Sequence, residues 1–203
     1  IDDPTVWTAT STNQAGTEDL AYNLGQITSV HGWGEYGLVV QEHGITRFTY
    51  TGGDTVFQVE NYEPARGSPY PFGAVKVGRR VYFAGQDGFY VTDGLQVEPI
   101  GQGKVDITFR SEVNDNYPLR VTCAVDPINK LVYWSFPSTS SGDGTPDRLY
   151  VYNYIENRWT NCDAMIEMLT GSYGLGYTLD GLDAISTNID TGFTESFDSP
   201  VWR

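Results

Sequence analysis

Positive charge is what this sequence has least of: 12 Lys plus Arg stand against 26 Asp plus Glu, a formal charge of -14. Such a surface repels phosphate, which disfavours a high-affinity nucleic-acid binder but not a conduit through which DNA slides without sticking. Cysteine occurs twice, at Cys123 and Cys162. Their spacing fits neither a zinc-ligand pattern nor a dense disulfide framework, so unbridged thiols are expected. Long apolar runs are missing, and the opening Ile1-Asp2-Asp3-Pro4 has neither a basic nor an apolar leader pattern, so no membrane segment is expected. Helix signals are also few. Val105 to Val113 and Asp163 to Leu169 are the two short candidates, with Asp106 and Asp163 placed to serve near their N-termini.

What the chain does have is β chemistry. Aromatic residues reach 14%, beside 23 Gly and 10 Pro, a mixture suited to pleated surfaces broken by tight turns. With 39% hydrophobic and only 19% charged residues in 203, one domain with a buried core is expected over residues 1–203. Because residue 1 is Ile and the last residues, Ser199-Pro200-Val201-Trp202-Arg203, carry no stop signal, a piece of a longer polypeptide is also an open expectation.

A unit repeats along the chain. Leu38 to Tyr50 reads as an apolar strand, a turn closed by Gly44, and a second strand of alternating character. Val81 to Thr92 repeats it with Gly88 in the place of Gly44. A second turn follows each, at Gly52-Gly53-Asp54 and Asp93-Gly94, and then a third strand, Val56 to Val59 or Leu95 to Val97. A third copy runs from Leu131 to Phe136, passes through a lengthened loop, Pro137 to Asp147, and resumes from Arg148 to Asn153 before turning at Glu156-Asn157 into Arg158-Trp159-Thr160. A short apolar strand precedes each hairpin: Ile27 to Val30, Ala74 to Val77, and Val121 to Val125. Four antiparallel strands recurring every ~40–50 residues is the spacing of a β-propeller blade. An all-β propeller of about four to five blades, complete or incomplete, is therefore expected. Its blade-like units fall near residues 27–62, 74–101 and 120–160, with partial units at 1–20 and 170–203, the latter two including Val6 to Thr10 and Gly174 to Ile185. The rival is a β-sandwich, whose Greek-key order does not produce the same hairpin at a fixed offset.

Candidate sites divide into functional and local readings. His31 and His43 suggest a metal pair, but no third ligand is in sight and hydrogen-bonded turn residues are the simpler reading. Ser141 to Asp147 is oxygen-rich yet lacks the acidic spacing and final Glu of a calcium loop. Gly171-Ser172-Tyr173-Gly174 forms no nucleophile elbow and no histidine follows it. Glu42, Asp87, Asp126 and Glu156 are the carboxylates that a glycosidase propeller would need around a pocket, but each sits in or beside a turn. Tyr150, Tyr152, Tyr154 and Trp159 could form a binding platform or, with fewer assumptions, the aromatic core of a blade. No catalytic, cofactor-binding or metal-ligating residue is assigned.

Several stretches resemble one family. They are Val81-Tyr82-Phe83 with Gln86-Asp87-Gly88-Phe89-Tyr90-Val91, then Asp93-Gly94, Glu98-Pro99-Ile100-Gly101 and Lys104-Val105-Asp106. Asn13-Gln14-Ala15, Gly34-Glu35-Tyr36-Gly37, Ala124-Val125-Asp126-Pro127, Asn129-Lys130-Leu131-Val132 and Gly176 to Asp183 extend the likeness from Asp3 to Trp202. In this order they are similar to phage and prophage virion proteins of the tail-hub or nozzle type found in short-tailed bacteriophages. The resemblance implies a structural, non-enzymatic propeller made in the host bacterial cytoplasm and assembled in the virion as a homo-oligomeric ring. That ring would sit below the portal and adaptor, near tail fibre proteins, around the channel for DNA ejection. It carries over no site residue and no cofactor. The alternative is a secreted carbohydrate-active propeller resembling a glycosidase.

Overall fold

In the computed structural model, the described residues are Thr8, 19–20, 22–33, 36–52 and 56–171. The chain divides into two units, Ile1–Thr170 and Gly171–Arg203, and the sheets belong to the first. The expected partial units at 1–20 and 170–203 lie almost wholly outside the described residues.

The fold is all-β, with three four-stranded antiparallel sheets taken in chain order. The first holds β1 (Ile27–Trp33), β2 (Tyr36–Gln41), β3 (Ile45–Tyr50) and β4 (Phe57–Glu63). The second holds β5 (Ala74–Val77), β6 (Arg80–Ala84), β7 (Phe89–Thr92) and β8 (Val97–Pro99), and is followed by the helix α1 (Asp106–Glu112). The third holds β9 (Thr122–Asp126), β10 (Leu131–Phe136), β11 (Arg148–Asn153) and β12 (Arg158–Asp163). Every strand pairs with its neighbour in sequence, so each sheet is a meander.

Side-chain alternation explains why the sheets stack. Successive residues of a strand point to opposite faces, and in β6 and β7 both faces are apolar and buried. Val81, Phe83 and Tyr90 pack with Leu38, Val40 and Ile45 of the first sheet. Tyr82, Ala84, Phe89 and Val91 pack with Val132, Trp134, Phe136, Tyr150 and Tyr152 of the third. The middle sheet is thus sandwiched, and an exposed strand face would not tolerate such a continuous apolar run. Phe89 sits at the centre of the larger core, its ring centroid 4.5 Å from Phe109, 4.8 Å from Trp134 and 4.8 Å from Trp159.

The first strands of the second and third sheets lie next to each other, and a lysine side chain reaches from the second sheet to the first. Lys76 on β5 donates to the carbonyl of Gly32 on β1. Just before β5, Phe72 bridges in parallel to Thr122 on β9. The two short hairpins are closed by the same backbone bond. Gln41 N–H donates to the Gly44 carbonyl at 2.8 Å, and Gly85 N–H donates to the Gly88 carbonyl at 2.7 Å. Each turn joins the second and third strands of its own sheet. In the third sheet the same connection is the long excursion, closed by Asp147, whose carboxylate accepts from the Ser138 N–H and hydroxyl, both at 2.7 Å.

Two local expectations need correction. The segment 163–169 is not a helix: Asp163 still pairs with Arg148 in the sheet, Ala164 N–H donates to the Asp147 carbonyl, and Ile166 N–H to the Pro146 carbonyl. Donors committed across the sheet cannot close helical turns. The fourth strand of the second sheet begins at Val97 and not Leu95, because Asp93 Oδ1 accepts from the Leu95 and Gln96 N–H groups at 2.8 and 3.1 Å and holds them in a turn.

Candidate functional site

The turns at Glu42 to Gly44 and Gln86 to Gly88 come together around a charged depression. A cavity of about 310 Å3 is lined by Glu42, His43, Arg66, Gln86, Asp87 and Arg110, with Ala65 and Gly67. A second, of about 350 Å3, shares Arg66, Asp87 and Arg110 with it and adds Tyr90, Gln102 and Asp106. Local packing brings these segments together. Gly67 passes so close to the Gln41 carbonyl and the Gly44 N–H that a Cβ there would overlap both, and Ser68 N–H donates to the Gln41 carbonyl at 2.9 Å.

Two side chains beside the cavity are fixed by structural bonds. Asp106 Oδ1 accepts from the Phe89 N–H at 3.1 Å, tying α1 to the start of β7. Asp106 stands in the first turn of α1 as expected, while Val105 before it makes no side-chain cap and the Asp106 carboxylate is used for this cross-tie. Burial pushes the Asp106 carboxyl above its ordinary value, the Phe89 N–H opposes this, neighbouring Asp87 adds to it and Arg110 opposes it. Tyr90 donates its hydroxyl to Asp87 Oδ1 at 2.7 Å, and burial followed by this bond pushes the phenol well up. The Arg66 guanidinium lies 5.7 Å over the Tyr90 ring and 3.7 Å from Glu63.

Of the four carboxylates picked from the sequence, Glu42 and Asp87 meet in this depression and the other two do not line it. Asp126 is occupied by its own turn: Oδ1 accepts from the N–H groups of Ile128 and Asn129 at 2.9 and 3.0 Å, and Oδ2 from the Asn129 amide at 2.6 Å. Those bonds, led by the Asn129 N–H, hold its carboxyl below the usual range. Glu156 sits in the β11–β12 turn, 3.8 Å from Arg158. Because the chain runs parallel where the second and third sheets meet, these two turns fall at the sheet end opposite Asp87.

The two histidines also separate. His31 lies toward the β1–β2 turn, its Nε2 3.1 Å from the Ser29 hydroxyl, with its pKa lowered by burial and then by Lys76. His43 is in the β2–β3 turn, at the other end of that sheet. Among the described residues, no cluster of three or more His, Cys, Asp or Glu has the arrangement to hold a metal ion. In the Ser141 to Asp147 loop, Asp143 accepts from the Thr145 N–H and hydroxyl, both at 3.0 Å, and shapes the loop. Of the Gly171 to Gly174 stretch only Gly171 is described. Tyr150 and Tyr152 are buried in the larger core, with Tyr154 and Trp159 packed against it. Trp159 donates to the Ile100 carbonyl at 2.9 Å. The aromatic group is therefore core and not a platform. Both cysteines are free thiols. Among the described residues, no helix is long and apolar enough to cross a membrane.

Arg66 and Arg110 were not singled out in the sequence. Pro64-Ala65-Arg66-Gly67 reads as an ordinary connection, and only the close approach of Gly67 to the first hairpin puts Arg66 over the cavity. Family models matched nowhere on this chain, and a search of curated proteins likewise found no match.

Proposed function

We propose that this protein is a structural component of a bacteriophage tail, of the tail-hub or nozzle type. In this reading its sheets are blades of a β-propeller, and copies assemble as a ring around the path by which DNA leaves the particle. The observation that carries it is the succession of three meander sheets, packed face to face with similar hairpins in the first two. Radial repetition of four-stranded sheets is how a propeller buries its faces. The order of the motifs between Asn13 and Asp183 supplies the phage assignment, and the charge of -14 suits a lining past which DNA slides without adhering. A symmetric ring also covers sheet edges that would otherwise invite pairing. The adaptor or portal above it and the tail fibre proteins beside it are the partners this reading requires, and the virion is its location.

A secreted glycosidase-like propeller is the second reading, and the meeting of Glu42 and Asp87 in one depression favours it. Retaining or inverting hydrolysis needs two carboxyl groups about 5–10 Å apart across a pocket that grips a sugar ring. Here two guanidinium groups share the cavity and one aromatic, Tyr90, borders it, with Arg66 already over its ring.

Negative-stain imaging of the purified protein separates the two readings, run beside a reducing-sugar assay on bacterial polysaccharides. The tail reading expects rings with a central channel and no sugar release. Sugar release by particles without rings contradicts it.

A further inference from the structure

We propose that the paired depression at the β2–β3 and β6–β7 turns binds an uncharged saccharide. The inference stands on the cavity alone and does not depend on the tail reading.

Size admits a small ligand, since cavities of about 310 and 350 Å3 joined along Arg66, Asp87 and Arg110 fall within the ~300–1,000 Å3 usual for such sites. The hydrogen-bonding groups of the lining, exposed to water that a ligand can replace, indicate its chemistry. Among the described residues, Arg110, Gln86 and Gln102 make no side-chain hydrogen bond, and Asp87 uses Oδ1 for Tyr90 while Oδ2 has no partner. Glu42 accepts the Gln26 N–H on Oε2 at 3.2 Å, which leaves Oε1. The walls therefore offer donors and acceptors together, the combination that vicinal hydroxyl groups match because each hydroxyl both gives and accepts.

Charge excludes the obvious competitors. Three carboxylates, Glu42, Asp87 and Asp106, outnumber the two guanidinium groups in a chain of charge -14, so a free anion is repelled. The carboxylates do not converge as a metal-holding group. A neutral polyol avoids both costs and still gains charge-assisted hydrogen bonds to Asp87 and Arg110.

Ligand-observed saturation-transfer NMR on the full chain tests this, with D-glucose, D-galactose, N-acetyl-D-glucosamine and L-rhamnose as probes and inorganic phosphate and calcium as competing arms. At least one sugar should receive saturation, and its affinity should fall about tenfold in D87N and in R110M, the loss of one charge-assisted bond. Arg110 is exposed and Asn at 87 can still accept from Tyr90, so both variants should keep the parent's unfolding midpoint. Saturation of none of the four sugars overturns the proposal, as does binding that neither substitution weakens. Displacement of the bound sugar by phosphate or calcium at equal concentration also overturns it.

Discussion

Trp134 donates its indole N–H to the Gly73 carbonyl at 3.0 Å, joining the middle of the third sheet to the residue that leads into the second. Gly73 N–H donates to the Tyr70 carbonyl and its carbonyl also accepts the Ala84 N–H at 3.0 Å, so one peptide holds β6 and the Trp134 ring together. Removing the ring should therefore damage the contact between sheets and not just one sheet. Trp134→Ala is expected to cost about 3–5 kcal/mol, and Trp134→Phe about 1–3 kcal/mol through the lost bond and the void. Urea unfolding measures both, and a Trp134→Phe variant as stable as the parent would show that the indole bond contributes nothing.

Gly88 and Gly78 separate crowding from backbone strain. Gly78 has φ +59° with open space around it, so Gly78→Ala should cost only the left-handed penalty, about 1–2 kcal/mol. A Cβ at Gly88 would overlap the Asp106 carboxyl, adding an overpacking cost of about 1–3 kcal/mol to the strain at φ +152°. Thermal unfolding of the two variants should rank Gly88→Ala below Gly78→Ala, and the reverse order would mean that Asp106 moves aside freely.

The two thiols should react at different rates. Cys162 is exposed, whereas burial pushes the Cys123 thiol well above its ordinary value. Maleimide labelling followed by mass spectrometry should modify the exposed Cys162 faster than the partly buried Cys123. Equal rates would place Cys123 at the surface.

The hairpins were legible because each needed only local chemistry. Gly44 and Gly88 mark their turns, and the flanking alternation gives the strands that the sheets contain. The third unit was legible despite its long loop because Leu131 to Phe136 and Arg148 to Asn153 keep strand character on either side. What misled was a segment whose bonds are made at a distance. Asp163 to Leu169 carries a helix-starting residue, but its N–H groups go to the Asp147 and Pro146 carbonyls and the Thr122 hydroxyl. The candidate site was half legible for the same reason. Glu42 and Asp87 stood out as turn carboxylates, while Arg66 and Arg110 acquire their meaning from segments that meet only in the fold.

Asp106 predicts a definite sign of pH dependence. Its carboxyl is raised above 3.8 in the fold, so the native state holds the proton longer than the unfolded chain. Its contribution is therefore favourable at low pH and is lost as pH rises from 3.8 through the folded value. Asp106→Asn keeps an acceptor for the Phe89 N–H and removes the titration. Urea midpoints followed from about pH 3 to pH 7 should show the parent losing stability relative to this variant across that window. A constant difference would mean that the carboxyl titrates as it does in the unfolded chain.

If, as proposed, the three sheets are successive blades within a tail ring, cryo-electron microscopy of phage tails containing this chain will resolve them there. Density for the Trp134 and Gly73 contact between the second and third sheets is expected to repeat around the channel through which DNA leaves. Particles whose tail density contains no copy of these stacked meander sheets around that channel would contradict it.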